Sequence, residues 1–174
     1  DSVLYSSSLF LQHIDDSGFI QQYSTSYVNG LRNLGLNVFT KAQMDTFLTI
    51  SSSPSFIINM AQLEMEEYTM PIKDEEVFDD YVYYKEIDLN AVNLNSWFEL
   101  TRMNNEDQEN QILFASHYIL DDYEGQFKYY PFTGEVSHQY SIDSMNIRDI
   151  YDLGTYLGQK YAEYTFDYLM NMFV

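Results

Sequence analysis

Cysteine is absent from the 174 residues. That excludes structural disulfides, thiol nucleophiles and cysteine-ligated zinc within this chain. Cations are scarce as well: eight Lys and Arg stand against 27 Asp and Glu, a formal charge of −19. A nucleic-acid surface needs clustered cations to neutralise phosphates and release counterions. Here Arg32, Lys41, Lys73, Lys85, Arg102, Lys128, Arg148 and Lys160 are scattered singly. The same scarcity argues against docking on anionic lipid through a basic patch. His13, His117 and His138 are the only histidines, and no pair has the i, i+4 spacing of a helical zinc site. No stretch approaches the ~20 apolar residues of a membrane helix. No G-x-S-x-G elbow, G-x-G-x-x-G fingerprint or phosphate loop occurs. Carboxylate pairs suited to glycoside hydrolysis are too numerous among 27 acids for any to stand out. No catalytic, cofactor-binding or metal-binding residue is therefore singled out, and a non-enzyme is expected.

What is present is apolar and aromatic. A hydrophobic fraction of 45% is that of a globular chain, and the length suits a single domain over 1–174. Seventeen Tyr, twelve Phe and one Trp make up 17% of the residues. They suit a tyrosine-rich core with hydroxyls reaching the surface, or an aromatic contact surface for a protein or a sugar. Asp15-Asp16, Asp79-Asp80 and Asp121-Asp122 with Glu124 are acidic clusters of the kind calcium uses, but none matches the twelve-residue loop with glycine at its sixth position.

Two stretches carry the architecture. Asn90 to Leu100 alternates, with Val92, Leu94, Phe98 and Leu100 on one side and Asn93, Asn95 and Glu99 on the other. After a polar run, Gln111 to Leu120 resumes the period with Ile112, Phe114, Tyr118 and Leu120 in step. Together they predict a long antiparallel hairpin over about 90–120. Ile150, Leu153, Leu157, Tyr161, Tyr164, Tyr168, Leu169 and Met172 recur at three and four residues, predicting an amphipathic helix over about 147–173 capped by Ser144 or Asn146. Gly154, Gly158 and Ala162 form a stripe of small residues on it, suited to tight packing on the sheet or to a helix-to-helix dimer seam.

The remainder is read more coarsely. Val3 to Leu11 suggests a strand and Asp15 to Gly18 a turn. A helix capped at Ser24, Thr25 or Ser26 presents Tyr27 or Val28, Leu31 and Leu34, and ends at Gly35. Leu36 to Phe39 reads as a strand reached by a crossover. Lys41 to Ile50 offers one or two helical turns with Met44, Phe47 and Leu48 facing inward, and Ser51 to Ser55 is a break. Phe56 to Tyr68 reads as a strand although its apolar residues change parity: Ile57, Ala61, Leu63 and Met65 share one face, Ile58 and Met60 the other. The acidic segment 69–86 reads as a solvated loop, with Tyr81 to Tyr84 a short edge strand. Segment 121–145, with turn signals at Glu124-Gly125 and Thr133-Gly134, is a functional loop or holds a small hairpin. The expected fold is α+β: an antiparallel or mixed sheet of four to six strands with two helices packed on one face.

This order resembles the small α/β domain of bacterial envelope lipoproteins, the group of the curli-secretion lipoprotein and the lipoprotein activators of peptidoglycan synthases. The matching pieces are Leu31 to Phe39, Phe56 to Leu63, Val92 to Ile119 and the helix from Leu153 to Met172. The tyrosine-rich, lysine-poor composition is similar to that of lipid-anchored proteins of the Bacteroidetes. The chain starts at Asp1 and not Met, so a preceding piece is expected, either a purification tag or a signal peptide with a tether. The resemblance implies an extracytoplasmic, envelope-anchored protein that binds or positions another protein, with no cofactor and no nucleic acid. Within segment 121–145, Tyr129, Tyr130 and Phe132 are the nominated partner-binding residues. The alternative is a carbohydrate-binding or carbohydrate-cleaving module using Trp97 or loop tyrosines as a stacking platform.

Overall fold

A computed structural model describes residues 8–51, 55–103 and 111–172. The first helix, α1 (Asp16–Asn33), packs along the last, α3 (Ile147–Asn171). A short helix, α2 (Met44–Ile50), follows α1 in the chain and precedes the strands. Strands β1 (Phe56–Phe78), β2 (Tyr81–Arg102) and β3 (Gln111–Leu120) form an antiparallel sheet in that order. A second antiparallel sheet consists of β4 (Asp122–Tyr130) and β5 (Glu135–Asp143). The chain is α+β, and its five described strands are divided between two sheets.

The expected hairpin is present: β2 pairs with β3 from Ala91↔Leu120 to Leu100↔Gln111. Its core face is not the one the apolar residues of β3 suggest. Ile112, Phe114 and Tyr118 are exposed, because register sets them opposite Glu99, Trp97 and Asn93. Leu113, Ala115 and Ile119 turn inward with Phe98, Ser96 and Val92. A slip of one residue exchanges the two faces of a strand, and the alternation of β3 alone is ambiguous on this point. In β1 the parity change has a local cause. A bulge at Ala61 separates the pairs Met60↔Phe98 and Gln62↔Trp97, so Ile58, Met60, Leu63 and Met65 all reach the core.

The acidic segment is not a loop. β1 and β2 stay paired from Phe56↔Arg102 to Phe78↔Tyr81, and Asp79-Asp80 form the turn, Asp79 at a φ of 52°. Pro71 sits in β1, an edge strand of the sheet, where no ladder N–H is required of it.

The core gathers Phe19, Tyr23, Tyr27 and Leu31 from α1, Val92, Leu94 and Phe98 from β2, and Ile150, Leu153, Leu157 and Tyr161 from α3. Helix α1 is capped by Asp15, nine residues before Ser24, the first of the expected caps. The Asp15 carboxylate accepts from Gly18 N at 3.2 Å, and the four-residue series of apolar residues runs back to Phe19. Asn146 caps α3 in a box with Asp149, as its spacing predicts. The stripe of small residues meets α1 of the same chain and not the sheet. A Cβ at Gly154 would lie 2.7 Å from the Phe19 ring, one at Gly158 2.6 Å from Tyr23 O, and Ala162 fills the space above Gly30.

Other expectations fail locally. Leu36 to Phe39 is not a strand, and among the described residues no crossover exists. Gly35 does end α1 with a φ of 90°. Met44 and Leu48 are exposed, and only Phe47 packs, its ring 5.9 Å from Phe39. Of the first predicted strand, residues 1–7 lie outside the described residues, and Leu11–His13 is a single 3-10 turn. That turn is held by Glu67, whose carboxylate accepts the Ser8 hydroxyl and the N–H groups of Leu9, Phe10 and Leu11 at 2.6–3.2 Å. Partial burial acts to raise this carboxyl, but the donors from Phe10, Leu9, Leu11 and Ser8 outweigh it and hold it below the ordinary glutamate range.

Candidate docking surface at the hairpin tips

Successive strand residues point to opposite sides, yet Ala91 and Val92 are both fully buried. β2 therefore changes its buried face there. Val92, Leu94, Phe98 and Leu100 face the helices, whereas Ile87, Leu89 and Ala91 are buried on the other side. Pairing puts Ile72 and Asp74 of β1 on that second side, and there the β4–β5 hairpin lies across the arm.

One polar joint fixes it. Asp74 Oδ2 accepts from Tyr123 Oη at 2.7 Å and meets His138 Nε2 at 2.8 Å, with Tyr123 Oη 3.2 Å from the same nitrogen. The contact with His138, then that with Tyr123, holds the Asp74 carboxyl below its usual range. Burial, reinforced by Asp74, pushes the Tyr123 hydroxyl up to about 12. Phe127 and Tyr140 pack against the imidazole, with ring centroids 4.5 and 5.6 Å away. Gly125 is no turn residue: it stands mid-strand opposite Tyr140. A Cβ on it would overlap Tyr123 Oη and the Asp74 carboxylate, so glycine here allows a close backbone approach.

From the joint, both hairpins run to the same end of the molecule. Asp74 touches Tyr123, and four residues on, Phe78 stacks on Tyr129 with centroids 5.9 Å apart. The turns Asp79-Asp80 and Pro131-Phe132-Thr133-Gly134 therefore lie side by side. Phe132 is fully exposed and Tyr81 is 70% exposed on the hairpin side of the arm, whereas Val77, Val82 and Tyr84 are open on its other face, where pairing sets Val77 opposite Val82 and Glu75 opposite Tyr84. Two of the three nominated residues differ from Phe132. Tyr129 is partly occupied by Phe78, and Lys128 Nζ lies 5.4 Å from the centre of the Tyr130 ring. Missed from the sequence was Tyr81 as a neighbour of Phe132, because the acidic segment before it read as a loop and hid its pairing with Phe78.

The other candidates fall elsewhere. Trp97 is half-buried on the open side of the three-stranded sheet, its ring 4.9 Å from that of exposed Phe114 and tilted by 41°. Around this pair, Asn59 donates to Glu99 at 3.1 Å, Gln62 to Glu64 at 3.3 Å, and Ser116 to Asn93 at 3.1 Å. His13 is exposed beside α1, and His117 is exposed near Tyr156. Among the described residues no group of three or more His, Asp or Glu is placed to hold a metal ion. The acidic pairs have local work: Asp15 caps α1, Asp79-Asp80 make a turn, and Asp121 accepts the Asn90 and Met145 N–H groups at 2.9 and 3.0 Å. An open cleft of about 760 Å³ beside the start of α3 is lined by Asp122, Asp143, Asp149 and Asp152. No described helix is long and apolar enough to cross a membrane. Compared with known proteins, the chain matches no family model, no curated protein and no solved structure.

Proposed function

We propose that this chain is a non-catalytic binding domain of the cell envelope that holds a partner protein at its paired hairpin tips. The observation that carries the reading is the open aromatic end of the arm: Phe132 and Tyr81 are exposed where the two hairpins end side by side, and Val77, Val82 and Tyr84 are exposed on the other face of the same tip. Exposed apolar clusters of this kind mark interaction sites more often than isolated apolar residues do, and tyrosine and phenylalanine are favoured anchors at interface centres. The envelope location and a lipid tether rest on the lipoprotein resemblance carried by Phe56 to Leu63, Val92 to Ile119 and Leu153 to Met172.

The test separates docking from folding. Tyr81→Ser with Phe132→Ser should abolish co-purification of a partner from cells that make the protein, at an almost unchanged Tm. Full retention of the partner would defeat the reading. A second reading, glycan binding, is favoured by the Trp97–Phe114 pair set among hydrogen-bonded amides and carboxylates. It predicts a saturable change in Trp97 fluorescence with a soluble polysaccharide, abolished by Phe114→Ala. An unresponsive Trp97 would remove it.

A further inference from the structure

Resting on the docking reading, we infer that the surface seated on the hairpin tips is a cationic protein surface, its arginine or lysine side chains lying over the open rings and against the flanking carboxylates. The first ground is local charge. Between Lys73 and Glu86 the arm carries Asp74, Glu75, Glu76, Asp79, Asp80 and Glu86 against two lysines. Asp74 is committed to the joint with Tyr123 and His138. Asp79 and Asp80 form the exposed turn beside Tyr81, and Glu135 opens β5 opposite Tyr130.

The second ground is that the arm already binds its own cations in this way. Lys73 Nζ contacts the Glu75 carboxylate while standing 4.9 Å from the centre of the Tyr84 ring. Lys128 stands over Tyr130 on the neighbouring hairpin. A ring face and a carboxylate on adjacent strands make a site for an ammonium or guanidinium, which the ring quadrupole attracts. Tyr81 and Phe132 leave their faces to solvent at the same end.

The third ground is what the charge opposes. A second copy carrying −19 would bring carboxylates against carboxylates, and an anionic lipid surface would be repelled likewise. A cationic partner gains from both the rings and the acids.

Isotope-edited NMR of the whole chain tests this with a short synthetic peptide of alternating arginine and leucine, and its twin with citrulline at each arginine. The arginine peptide should move the amides of 75–86 and 128–135, and the citrulline twin should bind about tenfold more weakly or worse. Glu76→Gln with Asp80→Asn should weaken the arginine peptide and spare the twin. Phe132→Ser should weaken both. Equal affinities for the two peptides would overturn the inference, as would shifts confined to the acidic cleft at 143–152, which would show charge attraction without the rings. Zwitterionic vesicles that move the same amides more than the peptide does would also overturn it in favour of a lipid surface. If the serine variants lose a co-purifying partner while the two peptides bind alike, the cationic inference falls and the docking reading stands.

Discussion

Above residue 91 the β1–β2 arm is covered by two helices, and below it by a two-stranded hairpin. The contrast lies in what each half buries. In the helical half Phe98 stacks on Tyr27 with ring centroids 4.9 Å apart, and Val92 and Leu94 are fully buried. In the other half the buried apolar side chains of β2 are Ile87, Leu89 and Ala91, and the contacts nearer the tip are an aspartate, a tyrosine hydroxyl and an imidazole, followed by the stack of Phe78 on Tyr129. Apolar burial contributes roughly 25 cal/mol per Å², whereas a hydrogen bond nets about 1 kcal/mol. The helical half, with the larger buried cluster, therefore supplies most of the stability. The distal half supplies a shaped end whose rings remain available.

Four substitutions probe that division, in decreasing order of effect. Phe98→Ala should cost about 3–5 kcal/mol in urea unfolding through lost burial and a cavity; a loss below ~1 kcal/mol would show that the helices do not dominate stability. Gly158→Val should cost about 1–3 kcal/mol by overpacking, because its Cβ meets the backbone of Tyr23 and the side chain of Ser26. Tyr123→Phe should cost about 1 kcal/mol, with faster amide exchange in 122–143 and little change in α1 and α3. Uniform acceleration would contradict a separable distal half.

The smallest effect concerns acid. Glu67 and Asp74 both have folded-state pKa values below their ordinary ones. Their contributions are therefore present above the ordinary values, 4.5 and 3.8, and are lost as the pH falls through the lower folded-state values. The amide shifts of Leu9, Phe10 and Leu11 should titrate together with a midpoint below 4.5. Glu67→Gln should abolish that titration and leave the β4–β5 signals in place. A midpoint at or above 4.5 would contradict the clasp.

The helical half was legible where its residues obey one period at a time. Val92 to Leu100 alternates, Ile150 to Tyr161 recurs at three and four, and Asn146 stands at a cap. Two devices hid the rest. The bulge at Ala61 shifts the parity of β1 midway, so no single alternation spans it. The face change at Ala91 and Val92 divides β2 between two layers, and the distal layer is bonded by Asp74, Tyr123 and His138, residues that also compose loops. Tyr129, Tyr130 and Phe132 could be nominated from aromatic content alone. Their neighbour Tyr81 needed the pairing of Phe78 with Tyr81 in β1 and β2, which a local pattern does not contain.

Docking at the hairpin tips is read out by photo-crosslinking in cells that make the protein, with the reactive residue placed in turn at 132 on the hairpin tip, at 112 on the open sheet face and at 48 on α2. A discrete protein adduct is expected from position 132, lost with Tyr81→Ser, and none from 48 or 112. An adduct from 112 with nothing from 132 would place the docking surface on the sheet face and not at the hairpin tips.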